Sequence, residues 1–185
     1  MIEISESFTK CCFTGYRPNK FPFKLERADS EFRKFEDDLF EFILRLAATG
    51  CRTFYCGMAM GFDLLAADSV LSVKNAFLEP IKLICVLPFE RQSDGFYPPW
   101  DELFEKVLKN ADETVVMSEK YFKGCYQKRN EFMVDNSDYV ITWYDGQKGG
   151  TANTIRYACK KGRQVFNINE ASKDDFGIQI QFEVL

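Results

Sequence analysis

Short apolar runs that alternate with stretches of helical periodicity constrain this chain more than any other feature of its sequence. The runs are Cys11–Thr14, Thr53–Cys56, Ile81–Leu87, Glu113–Met117, Asp138–Trp143 and Gln164–Ile168. They are too continuously apolar or aromatic to alternate in and out, which is what strands of a parallel sheet buried on both faces look like. Between the first two runs, Phe32, Phe35, Leu39, Phe42, Ile43 and Leu46 recur at steps of three and four, the spacing of one helical face, and Gly50 follows where such a helix can close. Further helices are expected at about 62–75, 101–110, 124–136 and 151–161. Parallel neighbours need such crossovers, so the expected architecture is α/β: a Rossmann-like three-layer sandwich with a mostly parallel sheet of at least five strands.

At 185 residues the chain fits one domain, with a core over about 11–168. Residues 177–185 differ from the rest: Ile178, Ile180, Phe182 and Val184 alternate with polar residues in the period of a half-buried strand. The tail is expected as an edge strand, with a homodimer contact as the alternative. A hydrophobic fraction of 46% against 28% charged residues fits a packed globule and excludes disorder as the main state. No run approaches the length of a membrane helix, and the first residues lack a secretory layout, so a cytoplasmic protein with no membrane partner is expected.

Charge and residue type narrow the chemistry. With 24 Lys and Arg against 28 Asp and Glu, the net charge of -4 offers no global reason to bind nucleic acid, although Lys120, Lys123, Lys128 and Arg129 form a local basic cluster. The absence of histidine removes the commonest general base, the histidine-dependent hydrolytic triads and any histidine-ligated zinc site. Seven cysteines, an odd number with no Cys-x-x-Cys pair, read as reduced and buried thiols. No metal and no cofactor is expected.

In a parallel sheet, every strand-to-helix loop emerges at the carboxyl edge, where ligands bind. Here those loops are Gly15-Tyr16-Arg17-Pro18, Gly57 to Asp63, Pro88 to Gln92 and Asp145 to Thr151. Gly57 and Gly61 bracket a turn that opens a helix, where backbone amides and the helix dipole suit a phosphate. Gly149-Gly150-Thr151 repeats the arrangement, with the Thr151 hydroxyl and following amides free to cap the helix or a bound phosphate. Neither loop is a dinucleotide fingerprint or a P-loop, which disfavours NAD oxidoreductases and ATPases. Arg17 and Arg129 are candidates for charged contacts to phosphate, and surface ion pairs are their competing role. Asp63 either complements its helix dipole or accepts from a ribose hydroxyl, and Asp145 carries the same ambiguity.

Taken together, Gly15-Tyr16-Arg17-Pro18, Gly57-x-Ala59-x-Gly61-x-Asp63, Leu87-Pro88-Phe89, Gln127-Lys128-Arg129-Asn130, Met133-Val134-Asp135 and Gly149-Gly150-Thr151 resemble, in order and spacing, the YpsA-like branch of the SLOG superfamily. The resemblance covers about residues 11–168. It implies a Rossmann-like fold and kinship with the Lonely-guy (LOG) phosphoribohydrolases and the single-strand DNA-binding DprA proteins. It also implies a ligand site made of Gly15, Arg17, Gly57, Ala59, Gly61, Asp63, Pro88, Gln127, Arg129, Asn130, Asp145, Gly149, Gly150 and Thr151. LOG-type enzymes cleave the N-glycosidic bond of nucleoside monophosphates with an arginine, matched here by Arg129, and a glutamate three residues after the loop threonine. That position is Thr154. Without the carboxylate, the group that activates water or stabilises oxocarbenium-like charge is missing, unless Asp63, Glu90 or Asp145 replaces it. The expected function is therefore non-catalytic binding or sensing of a nucleotide or nucleotide-derived ligand, with no catalytic residue assigned. The alternative is a nucleotide N-glycosidic bond hydrolase or transferase, and nucleic-acid binding is disfavoured.

Overall fold

The computed structural model describes residues 9–76 and 80–170. The expected tail strand at 177–185 lies outside the described residues. Six strands, β1 (Lys10–Thr14), β2 (Thr53–Cys56), β3 (Lys82–Leu87), β4 (Glu113–Val116), β5 (Tyr139–Thr142) and β6 (Gln164–Asn167), alternate with five helices: α1 (Ser30–Ala48), α2 (Phe62–Ala76), α3 (Trp100–Asn110), α4 (Cys125–Asp135) and α5 (Gly150–Lys160). The strands form one all-parallel sheet in the order β4-β3-β2-β1-β5-β6.

This order is doubly wound. The chain steps outward from β1 through β2 and β3 to β4, then returns past β1 to lay down β5 and β6. Right-handed crossovers put α1, α2 and α3 on one face and α4 and α5 on the other. The contacts agree, since α1 packs on α2, α2 on α3, and α4 on α5. The reversal of direction leaves a crevice between the carboxyl ends of β1 and β5, the switch point where parallel sheets accept ligands.

The expected apolar face of α1 is the buried one: Phe32, Phe35, Leu39, Phe42, Ile43 and Leu46 all face the sheet. Its start is set by Asp29, whose carboxylate accepts from the amides of Glu31 (2.9 Å) and Phe32 (3.4 Å). Its end is set by Thr49 and by Gly50 at φ +108°. On the strands, Phe13, Phe54, Leu83, Val140 and Ile141 are fully buried, each contributing about 1.5–3 kcal/mol relative to exposure. β4 departs from the expected two-sided burial. It pairs only with β3, and Glu113, Thr114 and Val116 are exposed, because an edge strand is covered on one side alone. No disulfide joins the seven cysteines, and six of them are buried. Burial pushes the Cys85 thiol up to about 12, which keeps it protonated.

One polar device ties the switch point together. Buried Asn167, at the end of β6, accepts from the Tyr144 amide (3.0 Å) and donates to the Tyr144 carbonyl (2.7 Å), so it supplies a backbone-like pair beyond the end of β5. Asn167→Ala takes this acceptor from the Tyr144 amide and leaves the Tyr144 carbonyl with the longer bond from the Asn169 side chain (3.3 Å), and urea unfolding is expected to show a loss of about 1–3 kcal/mol. A loss within experimental error would mean that water replaces the amide.

Candidate ligand site at the carboxyl edge

The loop after β1 and the start of α2 are fitted to each other by glycine. A Cβ at Gly15 would come to 2.5 Å from the Phe62 Cβ, and one at Gly61 would overlap the Tyr16 carbonyl. With both side chains absent, the Phe62 amide donates to the Tyr16 carbonyl at 3.0 Å. Gly61 also holds φ at +93°, a region that other residues rarely enter. Tyr16 is buried against Trp143 (5.4 Å between centroids), and its hydroxyl bonds Asp145 and accepts from the Gln147 amide at 3.2 Å. Asp145 is thus turned onto Tyr16. Although burial raises its pKa, hydrogen bonds from Tyr16 and Gln147 outweigh that and hold the carboxyl below its ordinary value.

The loop after β2 is closed from three sides. The Gln92 amide donates to the carbonyls of Gly57 (3.0 Å) and Met58 (2.7 Å), pinning Met58 in the left-handed region at φ +59°. Arg129, 3% exposed, reaches from α4 to donate to the same Gly57 carbonyl and sits 3.7 Å from Asp63. Asp63 in turn faces the Ala59 amide at 3.5 Å. A Cβ at Gly57 would overlap the Arg129 guanidinium and lie 2.8 Å from the Asp63 carboxylate, so this glycine exists to admit the arginine. Burial pushes the Asp63 carboxyl up despite the neighbouring cation, and burial pushes the Arg129 guanidinium down despite the neighbouring carboxylate. Desolvation outweighs attraction in both directions, as is usual for a dry ion pair.

The start of α5 is different. No side chain caps it: Gly149 occupies the cap position at φ +154°, and nothing lies within 4 Å of where a Gly150 Cβ would stand. Gly150 is exposed, and the first amides of α5 receive no side-chain cap, with the positive end of the helix dipole behind them. The Thr151 hydroxyl takes no part, because it donates to the Gly15 carbonyl at 2.9 Å and locks α5 onto the β1 loop. Lys20 hangs over this end, with its ammonium 3.4 Å from the Lys148 carbonyl and 5.7 Å from the Tyr16 ring centre. A cation at the amino end of a helix is placed against the dipole, an arrangement that an anion would relieve.

The residues singled out from the sequence therefore divide. Gly15, Gly61 and Pro88 are packed into the loop framework, while Gly57, Ala59, Asp63 and Arg129 bond one another. Gln127 points along α4 to Glu131 (3.0 Å), and Asn130 donates to the Thr154 hydroxyl (2.8 Å), which itself donates to the Gly150 carbonyl (3.0 Å). Arg17, Gly149 and Gly150 stay at the opening. Lys20 and Gln92 carry roles that local pattern does not reveal, since each acts on a loop far along the chain. Of the expected basic cluster, Arg129 is buried, leaving three exposed lysines. Among the described residues, no group of three or more Cys, Asp or Glu is placed to hold a metal ion, and no helix is long and apolar enough to cross a membrane.

Known proteins agree with this frame. The structure of DprA from Streptococcus pneumoniae superposes with a TM-score of 0.57 at 22% identity, covering 88% of this chain and 50% of that one. The DprA of Helicobacter pylori, solved for its single-stranded DNA binding mode, gives 0.55 at 21% identity over 86% of this chain and 64% of its own. Among curated sequences, the uncharacterized SPbeta prophage-derived protein YoqJ of Bacillus subtilis (strain 168) is 30% identical over 130 residues, 63% of this chain and 75% of that protein. A UPF0398 protein of Bacillus thuringiensis (strain Al Hakam) is 26% identical over 110 residues, 58% of this chain and 59% of its relative. The YpsA family model, that of the YspA SLOG family, matches residues 11–173, a stretch that takes in every loop of this edge, and the chain belongs to that family.

Proposed function

We propose that the carboxyl edge binds a nucleotide or nucleotide-derived phosphate ligand and that the protein acts as a sensor rather than a hydrolase. The observation that carries this reading is the uncapped amino end of α5 at Gly150, overhung by the Lys20 ammonium. Amide donors, helix dipole and a nearby cation are the parts a phosphate site uses, and here they stand together. The buried Asp63–Arg129 pair supports the site indirectly by holding the neighbouring loop in one shape.

The acidic groups support a site without turnover. Thr154 fills the position at which the LOG resemblance would put a glutamate, and it is buried and bonded on both sides. Asp63 is committed to Arg129, and Asp145 to Tyr16 and Gln147, so neither is poised to shuttle a proton to a glycosidic oxygen, and the exposed Glu90 of the β3 loop is the carboxylate that measured turnover would implicate. Likeness to DprA at 21–22% identity speaks for the fold, and strand binding is not carried over from it.

Thermal unfolding with nucleoside mono- and diphosphates and ADP-ribose tests the binding. At a hundredfold excess over the dissociation constant, stabilisation of about 2.7 kcal/mol is expected, a shift of about 5–10 °C for a chain of this length. Gly150→Asp puts a carboxylate where the phosphate would sit, in open space and at a helix start that tolerates it. The variant is expected to unfold at or above the wild-type temperature and to lose the ligand shift. A retained shift would move the site elsewhere, and multiple turnover to free base in the same mixtures would replace the sensor by a hydrolase.

A further inference from the structure

Soluble proteins rarely leave aromatic rings clustered at the surface, yet three meet at this edge. Tyr121 is 63% exposed and Tyr126 is 36% exposed, and both rings touch Phe89 edge-on, at centroid separations of 5.7 and 5.9 Å. Tyr121 and Tyr126 stand 6.4 Å from each other. The backbone beneath them is fixed. The Met117 amide donates to the Leu87 carbonyl (2.9 Å) and the Glu90 amide to the Ser118 carbonyl (3.2 Å), which clamps the β3 and β4 loops together. The Ser118 hydroxyl donates to the Lys120 carbonyl (2.9 Å), and Gln92 anchors the β3 loop on Gly57.

The cluster lies beside the opening at α5. Tyr126 is one helical turn before Asn130 on α4, and Gly150 is one turn before Thr154 on α5. Because Asn130 bonds Thr154, the two helices are level at that point, and one turn back Tyr126 stands across from Gly150. Packed helices run about 8–10 Å apart, a gap that a sugar spans. The Arg17 guanidinium lies 6.0 Å from the Tyr126 ring centre and acts electrostatically on both Asp63 and Arg129.

We propose that Phe89, Tyr121 and Tyr126 hold the base of a nucleoside phosphate by stacking, while its phosphate occupies the amino end of α5. This rests on the phosphate site proposed above and extends it to the other end of the ligand. The rings form a closed knot rather than a row along a groove, which suits one base rather than the successive bases of a strand. An exposed ring is also the economical choice for such a role, since every base has a π-face and the ring loses little freedom on stacking.

The test compares ribose 5-phosphate with AMP, GMP, CMP and UMP by calorimetry on the wild type, Tyr121→Ala and Tyr121→Phe. Wild type is expected to hold the preferred nucleotide more tightly than ribose 5-phosphate. Tyr121→Ala should weaken that nucleotide by about 5- to 100-fold and leave ribose 5-phosphate unchanged, with Tyr121→Phe restoring wild-type affinity. Tyr121 is too exposed for its loss to threaten the fold. Equal affinity for nucleotide and sugar phosphate, or a nucleotide affinity that Tyr121→Ala does not alter, overturns the platform and leaves the phosphate site standing. No binding of these probes, of nucleoside diphosphates or of ADP-ribose overturns both. Loss of an oligothymidylate complex in Tyr121→Ala, with nucleotide affinity intact, would assign the rings to a single strand instead.

Discussion

Arg129→Met is expected to destabilise the protein by about 3–5 kcal/mol near neutral pH, more than any other single change at this edge. Methionine fills much of the same volume, so the loss is electrostatic. It leaves the Asp63 carboxylate buried without its cation and takes a donor from the Gly57 carbonyl. The effect carries a pH signature. The Asp63 carboxyl already sits above its ordinary value in the folded state because of burial, and removal of the guanidinium raises it further. For an acid whose folded value is raised, the native state binds the proton more readily than the unfolded chain, so stability falls as pH rises through the window between the two values. Protonation on acidification relieves the orphaned charge. Urea unfolding should therefore show a smaller gap between variant and wild type at about pH 5 than at about pH 7. A gap of equal size at both would mean that Asp63 is not the group left uncompensated.

Gly57→Ala should act through the same pair from the other side. The new methyl would overlap the Arg129 guanidinium and crowd the Asp63 carboxylate at 2.8 Å, and neither can retreat, because both are enclosed by the β2 loop and α4. Expulsion of the guanidinium amounts to breaking the ion pair, so a loss of about 3 kcal/mol is expected for a single added carbon. The decisive measurement is the double-mutant cycle. With Met at 129 the obstacle is gone, so Gly57→Ala should cost at least about 1 kcal/mol less in that background than in the wild type. Additive losses would show that the alanine strains the backbone itself rather than displacing Arg129.

Much of this molecule was legible in the chain. Continuous apolar runs marked six strand candidates and predicted a mostly parallel sheet of at least five, and the observed bounds differ from the runs by a residue or two, as at β3, which starts at Lys82 rather than Ile81. Helical spacing from Phe32 to Leu46 marked the buried face of α1, and the glycine loops marked the edge at which the strands end. These features depend on residues within one or two turns of each other. Periodicity, caps and φ preference are local energies that each segment expresses wherever it is put.

The candidate loops were legible in the sequence, and what their side chains touch was not. Arg129 in a basic run reads as a phosphate ligand, but the return of the chain past β1 lays α4 beside the β2 loop, and its guanidinium turns inward to Gly57, 72 positions away in sequence. Gly15 and Gly61 resemble ligand cradles in sequence, and they serve the contact between the β1 loop and α2. Lys20 was invisible as part of a site because its partner loop lies 128 positions downstream. Gln92 binds the Gly57 carbonyl from 35 positions away, and the Phe89 ring of the β3 loop meets Tyr121 of the β4 loop and Tyr126 of α4. The sequence by itself determined the elements and the parallel class of their sheet, because short-range spacing and crossover helices set those. Only the tertiary structure decided which charges are spent on the fold and which face the opening, because crossovers bring distant groups together and burial then makes pairing obligatory for some of them.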